Sequence, residues 1–139
     1  MDNIVIFVEV AMEAKSIKQC PYCKMSLTLE QLAQDPDIDI IGMSFAEDSL
    51  EWVYYFFQHE VPNCGSSFLV RVDEFTSLIQ EPIPTEKMTL RDCCEEHCVS
   101  VNDLSTCKAE CYFAPFRRLL IKMIADKERI RAARSSVAR

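Results

Sequence analysis

The sequence predicts an α+β protein, with a β-rich first half and a cysteine-rich helical C-terminal segment. Four observations carry that prediction. Runs of β-branched and aromatic residues, Ile38–Phe45, Trp52–Gln58 and Ser67–Val72, are confined to the first half. Glu81-Pro82-Ile83-Pro84-Thr85 then interrupts the chain with two prolines at alternating positions, which favours an extended linker. Beyond it, cysteines recur at i and i+4, one face of a helix. An apolar stripe at Phe116, Leu119, Leu120, Met123 and Ile124 follows at helical spacing. The division expected is a β-rich domain over 1–80, a linker over 81–88 and a helical segment over 89–139.

Ile4 to Val10 is rich in β-branched residues and reads as a strand. Ala11 to Gln19 is a polar passage into the first cysteine pair. Thr28-Leu29-Glu30-Gln31 fits a capping box, Thr28 capping the helix and Gln31 reaching back. That helix should stop near Asp35-Pro36, because proline disfavours helix in the residue before it. Ile38–Phe45 and Trp52–Gln58 read as strands joined through Ala46-Glu47-Asp48-Ser49, although a buried helix also fits the second run. After the Ser67–Val72 strand, Asp73 is placed to cap a short helix through Ile79. Past the linker, Thr89 and Ser105 are each placed to cap a cysteine-bearing helix, with a turn at Asn102-Asp103. Pro115 fits the first turn of the last helix.

A chain of 139 residues is long enough for one ordinary core, and two half-size cores would each need a staple, which eight cysteines can supply. Charge is unevenly placed. Arg117 to Arg139 holds eight Lys/Arg against two Asp/Glu, and the rest holds seven against twenty, for a net charge of −7. An acidic body argues against an extended nucleic-acid surface and leaves only the basic C-terminal helix for such a partner. Arg117, Arg118, Lys122, Lys127, Arg129, Arg131 and Arg134 are the contact candidates, or a solvated helix face. With two glycines, Gly42 and Gly65, there is no Gly-rich phosphate loop. With two histidines, His59 and His97, both beside cysteines, no Ser/His/Asp set suggests itself. The first ten residues lack a basic n-region and a small-residue cleavage site, and their apolar run is too short to span a bilayer. The expectation is therefore a cytoplasmic protein without a membrane segment, where clustered thiols hold metal more often than they pair.

Cys20-Pro21-Tyr22-Cys23 presents two sulfurs to one metal, and a tetrahedral ion needs two more ligands from a nearby turn. Val61-Pro62-Asn63-Cys64-Gly65 is the candidate, with His59 just upstream. These turns resemble those of a zinc ribbon, whose second turn is usually Cys-Pro-x-Cys-Gly. Here Val61 stands where the first cysteine belongs, and His59 is the natural substitute. The resemblance covers about Gln19 to Phe75, with 35 residues between Cys23 and His59 as a long insert. It implies an antiparallel, zinc-ribbon-like β region and a zinc ion held by Cys20, Cys23, His59 and Cys64. The same CPYC followed by Lys24 resembles the redox motif of glutaredoxins, which implies Cys20 as nucleophile, Cys23 as resolving thiol and Pro62 as a cis-proline. That chemistry requires Cys20 at a helix N-terminus, where the dipole lowers its pKa. The capping signal, eight residues later at Thr28, speaks against it.

Cys94-x-x-x-Cys98 and Cys107-x-x-x-Cys111 form a second matched set. On paired helices these four sulfurs suit a second zinc ion, an iron–sulfur cluster, two disulfides or a packed thiol core. The disulfide arrangement resembles the twin CX3C proteins of oxidising compartments, although eight residues between the pairs is short for them. Cys93 points about 100° away from Cys94 on a helix wheel. His97 is placed to replace Cys98 as ligand or to support it by a hydrogen bond.

Closed four-ligand sites leave no position for a substrate water, so a zinc hydrolase is disfavoured. The leading expectation is a non-enzymatic, metal-stabilised binding protein or adaptor, or an accessory subunit, holding one or two zinc ions and acting through a protein partner. The alternative is an electron-transfer or thiol-redox protein. A ribbon-like N-terminal half joined to a cysteine-rich helical end is also similar to small bacterial proteins of unknown function, which implies no activity.

Overall fold

The computed structural model describes residues 16–46, 49–60 and 64–137. The strand expected over Ile4–Val10 lies outside them. A short hairpin comes first, β1 (Ser16–Gln19) against β2 (Ser26–Thr28), so the end of the polar passage is itself a strand. Helix α1 (Leu29–Gln34) follows at once. Its capping box is formed as the sequence foretells: Gln31 donates its amide to Thr28 Oγ1 at 3.2 Å, and Thr28 donates its own to Gln31 Oε1 at 2.8 Å. The helix yields before Pro36, and Lys127 from the far end of the chain donates to the carbonyls of Asp35 and Ile38 at that corner.

The main sheet is a meander of β3 (Ile38–Ala46), β4 (Ser49–His59) and β5 (Ser67–Arg71), all antiparallel. In β4 the alternation is strict. Val53, Tyr55, Phe57 and His59 all point inward, as the two-residue period of a strand requires. The same face of β5 presents Phe68 and Val70. A 3-10 helix (Val72–Leu78) closes this end with Phe75, which meets the Tyr55 ring edge-on at a centroid distance of 4.9 Å. Asp73 does not cap that helix. Arg71 occupies the cap position with no side-chain bond, and the Asp73 carboxylate instead accepts from Arg71 Nη2 at 2.6 Å.

Helix α2 (Ala114–Val137) crosses the buried face and adds Phe116, Leu120 and Met123 to the core. Burying each such side chain contributes about 1.5–3 kcal/mol. The Tyr55 hydroxyl donates to the Phe116 carbonyl at 2.6 Å, so no polar group is stranded there. Buried side chains from β2 through α2 belong to one cluster, with both sides of the 81–88 stretch contributing. No helix of the described residues is long and apolar enough to cross a membrane.

The basic residues of α2 are engaged within the chain. Arg117 and Lys127 are buried. Arg118 pairs with Glu81, Lys122 and Arg129 with Asp126, and Arg134 with Asp37, while Arg131 donates to the Pro36 carbonyl.

The helices expected after Thr89 and Ser105 do not form. Apart from the three-residue 3-10 turn His97–Val99, the chain from Ile79 to Phe113 has no regular element. Helices this short are marginal without packing, and Cys, Asp, Asn and Ser are weak helix formers. The Asp103 carboxylate accepts the Ser105 amide at 2.9 Å, so the turn chemistry of this segment prevails over the cap.

Candidate metal centre

The first cysteine pair sits on the turn of the β1–β2 hairpin. Gln19 faces Ser26 across the last ladder position. The Cys20 amide donates to the Met25 carbonyl at 2.9 Å, and the Lys24 amide returns to the Cys20 carbonyl at 3.0 Å. Closing so tight a turn puts Lys24 at φ 67°, a left-handed conformation that L residues adopt at a cost. The turn throws both sulfurs to one side.

The answering side chains come from the β4–β5 hairpin. His59 is the last inward position of β4 and is 1 % exposed. Its amide donates to the Ser66 carbonyl at 3.0 Å, which holds the two sides of the hairpin together at that level. Gly65, at φ 128°, occupies backbone space that other residues rarely enter and turns Cys64 toward His59. Val61, Pro62 and Asn63 lie outside the described residues, and so does the cis-proline expectation.

Cys20, Cys23, His59 and Cys64 thus bring their four ligand atoms within 4.8 Å of one another. A tetrahedral zinc with Zn–S near 2.3 Å and Zn–N near 2.0–2.1 Å requires S···S of about 3.8 Å and S···N of about 3.6 Å. Cys20 Sγ lies 3.7 Å from Cys64 Sγ, and Cys23 Sγ lies 3.5 Å from His59 Nδ1. The donor set therefore fits a soft divalent ion.

The sulfurs are prepared unequally. Burial pushes the Cys20 thiol up, but the Ser66 hydroxyl at 3.2 Å, the Cys23 and Tyr22 amides and His59 together bring it down to about 5. The Ser66 amide lowers Cys64 against the opposing effect of burial. At Cys23 the Met25 amide pulls the thiol down, yet burial and the neighbouring sulfurs of Cys20 and Cys64 leave it raised. Burial lowers His59, and its hydrogen bonds to Cys20 and Cys64 outweigh that and raise it. Crowded sulfurs resist ionising together. A divalent cation removes that conflict.

Ser66 was not anticipated from the sequence. Its hydroxyl approaches Cys20 Sγ at 3.2 Å and Cys64 Sγ at 3.7 Å. The available signal was its place two residues after Cys64, where a knuckle directs its next amide at the ligand sulfur.

Glutaredoxin-like chemistry finds less support in this geometry. Residues 21–23 form a turn, and α1 starts only at Leu29, so no helix dipole reaches Cys20. Cys20 is also fully buried, whereas an attacking thiolate must be accessible.

Cys94, Cys98, Cys107 and Cys111 line one small cavity, although not on helices. Among the described residues, the first set alone brings three or more ligand atoms within 4.8 Å of one another. All eight cysteines are unpaired thiols. Cys93 is exposed and does not line that cavity. His97 Nδ1 donates to the Asp103 carboxylate at 2.8 Å.

Comparison of this chain with protein-family models, curated proteins and solved structures gives no match.

Proposed function

We propose that this chain is a small cytoplasmic binding protein whose first half is stapled by one zinc ion in a zinc-ribbon-like centre. Cys20, Cys23, His59 and Cys64 are its ligands. The observation that carries the reading is the convergence of these four ligand atoms, from two separate hairpins, within 4.8 Å. Four protein ligands close the coordination shell, so the centre has no place for a substrate and acts structurally. Such a site contributes about 10–16 kcal/mol of apparent binding free energy, as much as the whole net stability of a typical domain. The β1–β2 hairpin, three or four residues a strand, is too short to persist by its own ladder. It needs that tie.

The function then lies in what the tied hairpin displays. Tyr22 stands at the tip of the first turn, 69 % exposed, with Met25 exposed beside it. Tyrosine and methionine on a rigid turn are residues that protein interfaces favour. The acidic body and the internally paired cations of α2 favour a protein partner over nucleic acid.

A strong zinc chelator tests this reading. Melting followed with and without it should show a large loss of stability, with hydrogen exchange speeding first in β1, β2 and the β4–β5 turn. The redox alternative predicts the opposite pattern, a chelator-resistant fold with glutathione–disulfide exchange that depends on Cys20.

A further inference from the structure

The second cysteine set lies where ordinary stabilisers are scarce. Between Leu78 and Ala114 the one regular element among the described residues is the turn His97–Val99. A connection this long is uncommon in a compact domain unless it is functional or something holds it. The segment is nonetheless seated at a definite place on the sheet. Ser44 Oγ donates to the Cys98 carbonyl at 3.1 Å, and the Val101 carbonyl abuts Gly42. At its centre Cys94, Cys98, Cys107 and Cys111 line one cavity whose remaining lining includes Phe45, Met88 and Phe113.

Each of these sulfurs meets an N–H group. The Glu96 amide donates to Cys94 Sγ at 3.3 Å, and the Met88 amide donates to Cys111 Sγ at 3.2 Å. The Ala109 amide favours a charged Cys107, and Arg117 Nη2 donates to Cys98 Sγ at 3.8 Å, although burial leaves both thiols raised. In two cases the amide lies two residues after its cysteine. That is the arrangement of the first centre, where Tyr22 faces Cys20, Met25 faces Cys23 and Ser66 faces Cys64. Such donors favour sulfur carrying negative charge, and thiols packed only as small apolar groups have no use for them.

Arg117 supplies an independent indication. It is 1 % exposed and lines the same cavity. Its guanidinium donates to the carbonyls of Asp103, Ser105 and His97, and to Cys98 Sγ, while Nε finds no partner. The carboxylate of Asp103 turns away to His97. A buried cation held only by carbonyls and a neutral thiol is strongly unfavourable and calls for an anion. A divalent ion with four thiolates carries a net charge of −2 and would supply it.

We infer that Cys94, Cys98, Cys107 and Cys111 form a second, all-sulfur site for a soft divalent metal ion, zinc foremost, with Arg117 as its buried counter-charge. No three of these sulfurs lie within 4.8 Å of one another, so binding draws the two turns inward. An irregular backbone permits that movement where two packed helices would resist it. The step is ligand exchange without redox: four Zn–S bonds replace the bonds of the hydrated ion to water, and the waters and four thiol protons pass to solvent. The site stands or falls separately from the Cys20 centre.

Zinc content and zinc-edge X-ray absorption of the full chain test it, compared with Cys98→Ser and Cys64→Ser. The expected result is two zinc ions in the parent and one in each variant. The ion left in Cys64→Ser should show sulfur ligands only, and the ion left in Cys98→Ser should show mixed sulfur and nitrogen. A parent with one ion and a mixed shell overturns the inference, as does Cys98→Ser with undiminished zinc. Alkylation of the zinc-loaded parent guards against a variant that fails to fold. Cys93, exposed and outside the set, should react at once while Cys94 and Cys107 resist. If those two react as fast as Cys93, or appear joined in disulfides, the site does not exist.

Discussion

The carbonyl of Val101 rests on the α-carbon of Gly42, so closely that a β-carbon there would overlap the oxygen and lie 2.9 Å from the carbonyl carbon. This contact is how the cysteine-rich segment reaches the sheet. β3 slips register between Ile40 and Gly42, which turns Gly42 and Ser44 to the face the segment covers while Met43 stays in the core. Gly42→Ala should therefore destabilise by about 1–3 kcal/mol, the usual cost of forcing atoms into a filled space. Denaturant midpoints measure it, and faster alkylation of Cys98 should accompany the loss. A silent Gly42→Ala would mean that the segment does not lie on β3.

Thr28 joins β2 to α1 through a capping box. Thr28→Ala should cost about 1 kcal/mol, the usual value for a lost cap. Thr28→Ser should restore most of it. Urea unfolding of the three proteins provides the check.

Ser66 is placed to support Cys20 and Cys64 without itself belonging to the four-residue group. Removing its hydroxyl in Ser66→Ala takes a hydrogen bond from Cys20 Sγ, so the Cys20 pKa should rise and protons should compete better with zinc. The expected effect is a zinc affinity about 10–100-fold weaker, as for other outer supports of metal ligands. Competition with a chromogenic chelator reads it, and unchanged affinity would place Ser66 outside the centre.

Lys127 gives a pH dependence of definite sign. Burial holds its ammonium down at about 8 in the folded chain, although Asp35 and Asp39 oppose the shift. In the unfolded chain it titrates near 10.5. Between those values the unfolded state binds more protons, so stability rises with pH. The contribution is complete above about 10.5 and lost as pH falls through about 8, with a ceiling of roughly 3 kcal/mol. The stability of the native chain relative to Lys127→Met should improve from about pH 7.5 to about pH 9.5. A difference independent of pH would mean that Lys127 is solvated.

How much of this was legible in the sequence depended on how local the determinant was. The Thr28 capping box, the stop before Pro36 and the aromatic strand β4 follow from short-range chemistry and appear as read. That Cys20, Cys23, His59 and Cys64 come together was legible because a two-cysteine turn calls for two further ligand types, which His59 and Cys64 offer across a long insert. The second set misled in one respect. Spacing of i and i+4 suits a helix, but at Cys94 and Cys107 it arises from turns whose amides face the sulfurs. Arg117 and Lys127, read as part of a contact surface or solvated face, are buried. Their destination depends on which carbonyls the finished fold leaves beside α2, and no local pattern encodes that.

The central claim is that Cys20, Cys23, His59 and Cys64 hold one metal ion that the first half needs. The most direct test is zinc per chain, measured side by side with melting temperature, for the native protein and Cys64→Ser purified without chelators. The account predicts that Cys64→Ser loses one ion per chain and melts well below the native protein. Equal zinc content with an unchanged melting temperature would contradict it.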